Sequence, residues 1–282
     1  MATEPEEVPE TVSAHLELKI LGQPIHWDVE MPAGPVPLQA MLPALHVLTD
    51  GVAGVMSGIS NASGHPVSCK KGCGACCRQL VPVAEVEARA IRDLVNDLPE
   101  PRRSVIRERF AEARRRLEES GMYQTLLERG GWDRDERRKV AIDYFALKIP
   151  CPFLEDESCS IYRERPVICR QYMVVTPPEE CAHPQFGTLM GVPIPGNLSS
   201  IPASFDPIPA GETQYRWVPL SLALEWADSH PDELPPRPAP EFFTSIIEQF
   251  TGMKLTSPSA TTPASTAQEG LGSPGSEEKE SL

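Results

Sequence analysis

Positive charge is scarce in this sequence: 26 Lys and Arg stand against 40 Asp and Glu, a formal charge of −14 over 282 residues. A surface of that sign repels phosphate backbones, so a nucleic-acid role would need a strong local basic patch. The one candidate, "RRSVIRERFAEARRRLEES" (102–120), interleaves acids with its arginines and sets Glu112 four residues from Arg116. That is the pattern of a solvated helix face, and no nucleic-acid partner is expected. Also missing is any run of 18 consecutive apolar residues, so no membrane partner is expected either. The N-terminus "MATEPEEVPETVSAHLELKI" is acidic where a secretory leader is basic and then apolar, which points to a cytoplasmic protein. No Ser/His/Asp pattern, phosphate loop, G-x-G-x-x-G or internal repeat is present, so hydrolase, kinase and dinucleotide-binding readings have no motif behind them.

What is present reads as one domain with tails. "LELKI" (16–20) and "IHWDVEM" (25–31) alternate apolar and polar residues across a Gly22/Pro24 turn, which predicts a hairpin with Ile25, Trp27, Val29 and Met31 on one face. Leu38, Leu42, Leu45, Leu48, Val52 and Val55 then recur at helical spacing, against the opposition of Pro43, Gly51 and Gly54. Helices are expected over 83–98 (Val83, Val86, Ala90, Leu94 and Leu98 inward), 102–119 (Ile106, Phe110, Ala113 and Leu117 inward) and 135–148 (around Val140, Tyr144 and Leu147). Pro and Gly dominate 176–215, an ordered loop by composition, and two short helices follow at 220–230 and 240–253, the second apolar at Phe242, Ile246 and Phe250. The fold class expected is mainly α with a small N-terminal β-hairpin (α+β) around an irregular cysteine-rich metal-binding core. Its parts are a disordered 1–14, a hairpin and helix at 15–60, a cysteine-cluster domain with C-terminal helices at 61–255, and a disordered Ser/Pro/acidic tail at 256–282.

All eight cysteines fall in two groups: Cys69, Cys73, Cys76 and Cys77, then Cys151, Cys159, Cys169 and Cys181. In a reducing compartment such short spacings point to metal before disulfides. Thiolates suit zinc, copper(I) and iron–sulfur centres, whereas magnesium and calcium ask for oxygen ligands. Four thiolates complete a tetrahedral zinc or a cubane cluster, so eight complete two sites or leave spare ligands for a larger one. Gly72 and Gly74 flank Cys73 and let the backbone turn tightly, aiming amide N–H groups at sulfur. Lys70, Lys71, Arg78 and Arg170 stand close to the cysteines in sequence and favour thiolate over thiol. Adjacent Cys76 and Cys77 diverge in helix or strand, so they suit two metals better than one, unless one is simply a buried small side chain.

The first three cysteines fit the C-x3-C-x2-C spacing of radical iron–sulfur enzymes, but the strand–helix alternation those barrels need is absent, and Ala75 holds the position where they commonly have an aromatic. The second block decides better. "CPFLEDESCSIYRERPVICRQY" (151–172), together with "CKKGCGACCRQ" (69–79) and "TPPEECAHP" (176–184), resembles the CxxCxxCC or YkgJ-like cysteine-cluster family, described as zinc- or iron-chelating. The likeness runs over about 69–181 and departs at the interval between Cys69 and Cys73, three residues where the family name implies two. It implies chelation of zinc or of iron, including as an iron–sulfur cluster, by the eight cysteines, and supplies no reaction.

Arg165 and Arg170 are candidates to meet an anionic cofactor or substrate, or to offset thiolate charge. Pro166 is set to begin a short helix carrying Cys169. Tyr162 and Tyr172 either pack or donate to sulfur. His183 is a spare candidate ligand, ahead of His15, His26, His46, His65 and His230. Three functions follow as expectations: a metal-cluster-binding protein with a metal ion or cluster as partner, a cluster-dependent oxidoreductase or methyltransferase-like enzyme, and a structural zinc module for a protein partner.

Overall fold

The computed structural model describes residues 10–128, 132–183, 189–206, 217–232 and 234–254. The expected disordered tail, most of the expected disordered N-terminus and parts of the 176–215 loop lie outside these. Alternating apolar residues form β1 (Thr11–Ile20) and β2 (Gln23–Pro32), antiparallel with Leu16 opposite Trp27 and Leu18 opposite Ile25. The turn is Leu21-Gly22, both at positive φ, 48° and 81°, the twist that matches right-handed strands. Ile25, Trp27, Val29 and Met31 are all buried, as their alternation requires.

That face lies over α1 (Leu42–Ala62), which follows the short strand β3 (Pro35–Val36) and a 3₁₀ turn at Leu38–Met41. Pro43 sits in the first helical turn, where its missing N–H costs no hydrogen bond. Gly51 faces the hairpin, where an added Cβ would stand 3.4 Å from Ile25 Cγ2. By length and composition Leu38–Ala62 is apolar enough to cross a membrane. Here Leu45, Leu48 and Val52 are fully buried, in one core with the hairpin, while His46 and Asp50 interrupt the apolar run.

Next come β4 (Pro82–Ala84), α2 (Glu85–Asp97), α3 (Arg102–Glu119), α4 (Met122–Leu127) and α5 (Arg134–Ala146), then a small hairpin of β5 (Leu154–Glu155) and β6 (Ser158–Cys159). Short helices α6 (Val167–Gln171), α7 (Pro178–Ala182) and α8 (Ser200–Ala203) precede β7 (Trp217–Pro219), α9 (Ala223–Ser229), β8 (Arg237–Pro238) and α10 (Ala239–Thr251). β3 pairs with β8 and β4 with β7, both antiparallel. Ten α-helices against two-stranded sheets among the described residues make the chain mainly α with a small β part.

On α3, Ile106, Phe110, Ala113 and Leu117 point inward, and the outer arginines are paired: Arg115 with Glu112 and Glu119, Arg114 with Glu118. On α2 the single inward stripe expected above is too simple. Val86 and Ala90 pack with the hairpin core, while Ala88, Ile91 and Val95 pack with α3 and α9 in a second core. The buried residues of a helix between two cores do not follow one stripe, and Ala90, Leu94 and Leu98 are only partly covered. Its buried Arg89 pairs with buried Asp206 at 2.8 Å, and Asp206 also accepts from the Val86 N–H at 3.1 Å.

Candidate metal centre

The first cysteine group lies on a tight turn. Gly72 has φ 86°, the Cys73 N–H donates to the Lys70 carbonyl at 3.1 Å, and the Cys77 N–H donates to the Gly74 carbonyl at 3.0 Å, opening a 3₁₀ turn over Ala75–Arg78. Gly74 has no room for a side chain: a Cβ there would meet Glu157 Oε2 at 2.5 Å and the Glu157 Cα at 3.2 Å. The β5–β6 hairpin thus presses on the turn, and a bidentate pair of Arg78 with Glu157, at 2.9 and 2.6 Å, fastens it there.

Backbone bonds draw the second group onto the first. The Cys151 N–H donates to the Cys77 carbonyl at 2.7 Å, the Ser68 N–H to the Val174 carbonyl at 3.0 Å, and the Val174 N–H to Cys69 Sγ at 3.4 Å. Helix α7, carrying Cys181, packs on the 3₁₀ turn. Pro166 directly precedes α6, which carries Cys169. All eight thiols are free of disulfides.

The spatial grouping differs from the grouping along the chain. Burial raises the Cys181 thiol to about 11, with Cys69, Cys73 and Cys76 as the thiols that add to it. Burial likewise raises Cys151 and Cys169, which share Cys159 and Cys76 as neighbours. Cys76 is raised first by its contact with the Cys77 thiol and then by burial. So Cys69 and Cys73 act on Cys181, Cys151, Cys159 and Cys169 form a second set, and Cys76 adds to both. Among the described residues no three His, Cys, Asp or Glu side chains are, as placed, close enough to share one metal ion.

Arg165 is the guanidinium that favours thiolate at Cys69, Cys76, Cys159 and Cys169 alike, and it stacks on Tyr162 with its carbon 4.0 Å from the ring centroid. Arg170 has another task. It is buried and donates to Asp50 at 2.6 Å and to the carbonyls of Arg163 and Arg165, fixing the loop before α6 onto α1. Burial raises the Tyr172 phenol, and the thiols of Cys181, Cys76 and Cys69 add to it, against a hydrogen bond with Gln79. His183 is exposed, next to Lys70 and Cys73. His46 is held neutral, down to about 3, by burial and by Arg170 and Arg165.

The sequence reading passed over Glu87. It is buried, its Oε2 accepting from the Ala84 N–H at 2.9 Å and its Oε1 from the Val167 N–H at 2.8 Å. One carboxyl thereby ties the start of α2 to the start of the cysteine-bearing α6. Burial raises it to about 7, although both N–H bonds pull the other way. Its position at the third residue of a helix, where a capping glutamate belongs, was the available signal.

Residues 68–188, which hold all eight cysteines, match the model of the CxxCxxCC family, described as "Putative zinc- or iron-chelating domain". No curated protein and no solved structure matches the chain. The donor set fits such a metal on chemical grounds: Cys181 is buried, Cys69 is exposed and the other six are half-buried, and burial and mutual repulsion disfavour the thiolates at Cys151, Cys169 and Cys181, so their ionised forms lack positive charge that a soft or borderline cation supplies.

Proposed function

We propose that this protein binds zinc or iron, the latter as an iron–sulfur cluster, through Cys69, Cys73, Cys76, Cys77, Cys151, Cys159, Cys169 and Cys181, and does so in the cytoplasm. The observation that carries this reading is the convergence of two cysteine groups from distant parts of the chain on the 3₁₀ turn that holds Cys76 and Cys77, through the Cys151 N–H bond to the Cys77 carbonyl and the packing of α7 on that turn. Each trio lacks one thiolate for a tetrahedral site, and an adjacent pair can give one to each. The reading is therefore of two subsites, one with Cys69, Cys73 and Cys181 and the other with Cys151, Cys159 and Cys169, each completed by one thiolate of the Cys76–Cys77 pair. Arg165 offsets thiolate charge, and Arg170 holds the loop that presents Cys169.

The test is anaerobic purification from cells supplied with zinc and iron, followed by metal and acid-labile sulfide analysis and a visible spectrum before and after dithionite. Iron with sulfide and a bleachable band assigns a redox centre; colourless protein with zinc assigns chelation or structure. Protein holding neither metal in stoichiometric amount refutes the reading. Cys181→Ser should lower metal content by about half if two subsites exist.

A further inference from the structure

Of the eight cysteines, Cys73 lines an open cleft of about 490 Å³, whose walls include Lys70, Gly74, Lys148, Glu179 and His183. One wall is α7, the helix that carries Cys181, so the cleft stands over the Cys69, Cys73 and Cys181 side of the thiol cluster. Its size suits a small molecule, not a protein segment. Its charge runs against that of the protein. Arg78 and Glu157 also line it but neutralise one another. Lys148 is exposed and has no carboxylate partner among the described residues: its Nζ donates to the Ala182 carbonyl at 3.2 Å and lies 3.6 Å from the Phe145 ring centroid. Lys70 is exposed and makes no ion pair among the described residues. Against these two ammonium groups stands one carboxylate, Glu179, in a chain of net charge −14.

A locally positive mouth over a thiol draws small anions that the rest of the surface repels. We propose that this cleft receives a small anionic chelating molecule, bearing carboxylate or thiolate donors, and that metal passes between it and the cysteines at Cys73. The exchange is a ligand substitution: one metal–donor bond forms as a metal–thiolate bond breaks, with no change of oxidation state. The proposal rests on the metal-binding reading above.

Two measurements on the full chain test it separately from that reading. In the metal-free, reduced protein, alkylation by iodoacetate and by iodoacetamide is mapped to each cysteine. The anion-to-neutral rate ratio at Cys73 should fall about tenfold in a Lys70→Glu, Lys148→Gln variant, and by a smaller factor in Lys70→Glu alone, while the ratio at Cys159 stays put. In the metal-loaded protein, removal of metal by the anionic chelator EDTA should slow in the same variants and with added salt, and removal by neutral 1,10-phenanthroline should not. An unchanged ratio at Cys73, or equal effects on both chelators, overturns the cleft as an anion site. A chain that takes up no metal overturns the reading beneath the proposal, whatever the alkylation ratio.

Discussion

Glu87 offers a pH test of the link between α2 and α6. In the unfolded chain its carboxyl titrates near 4.5, and in the fold it keeps its proton up to about 7. Between those values the folded state binds more protons than the unfolded one, so stability is fully present below 4.5 and lost as the pH rises to 7. The rise from 4.5 to about 7 corresponds to about 3 kcal/mol. Glu87→Gln keeps the shape and removes the titration. For a body of this size 1 kcal/mol moves Tm by about 2–4 °C, so the Tm difference between wild type and Glu87→Gln should shift by about 6–12 °C, in favour of the variant, from pH 4 to pH 8. Other titrating groups are common to both proteins and cancel in the difference. Circular dichroism melts at equal metal content measure it. Parallel Tm-against-pH curves for the two proteins would refute the argument that Glu87 is buried and tied to both N–H groups.

Breaking the buried Arg89–Asp206 pair by Asp206→Leu alone should cost about 3–5 kcal/mol, and Arg89→Met with Asp206→Leu should cost less than the single change, as read from denaturant unfolding. Gly74→Ala drives a Cβ into Glu157 and should destabilise by about 1–3 kcal/mol, with loss of bound metal by elemental analysis. Leu21, 73% exposed at φ 48°, gains nothing from its side chain; Leu21→Asn should raise stability by up to about 1 kcal/mol in a thermal melt.

Where burial is one-sided, the sequence could be read directly. Trp27 and its neighbours alternate because one face of the hairpin meets α1, and Ile106 to Leu117 keep a helical stripe because the other face of α3 meets water. Periodicity misplaces the inward residues of α2 because two cores claim that helix from different sides. The cysteines were legible as residues but not as neighbours. Spacing groups Cys181 with Cys169, yet α7 folds back onto the 3₁₀ turn and brings it to Cys69 and Cys73, a long-range pairing that no local pattern records. Arg170 shows the same limit: beside Cys169 in sequence, its side chain turns toward Asp50, 120 residues away. Glu87 was hidden because its partner, the Val167 N–H, belongs to the start of α6, 80 residues away.

The clasp at Ser68 and Val174 also sets how the molecule bears mechanical load. Those two residues, 106 positions apart, meet through backbone and side-chain bonds at the base of everything between them. Force applied through handles fixed before Ser68 and after Val174 bypasses helices α2 to α6 while the clasp and the cysteine junction hold. When they yield, the whole enclosed segment comes under tension at once, and at about 3.5 Å per residue the tether should lengthen by roughly 370 Å, less the short distance across the closed base. Metal held across the two cysteine groups would act as the latch, so the force at which that step occurs, rather than its length, should report whether the thiols are loaded.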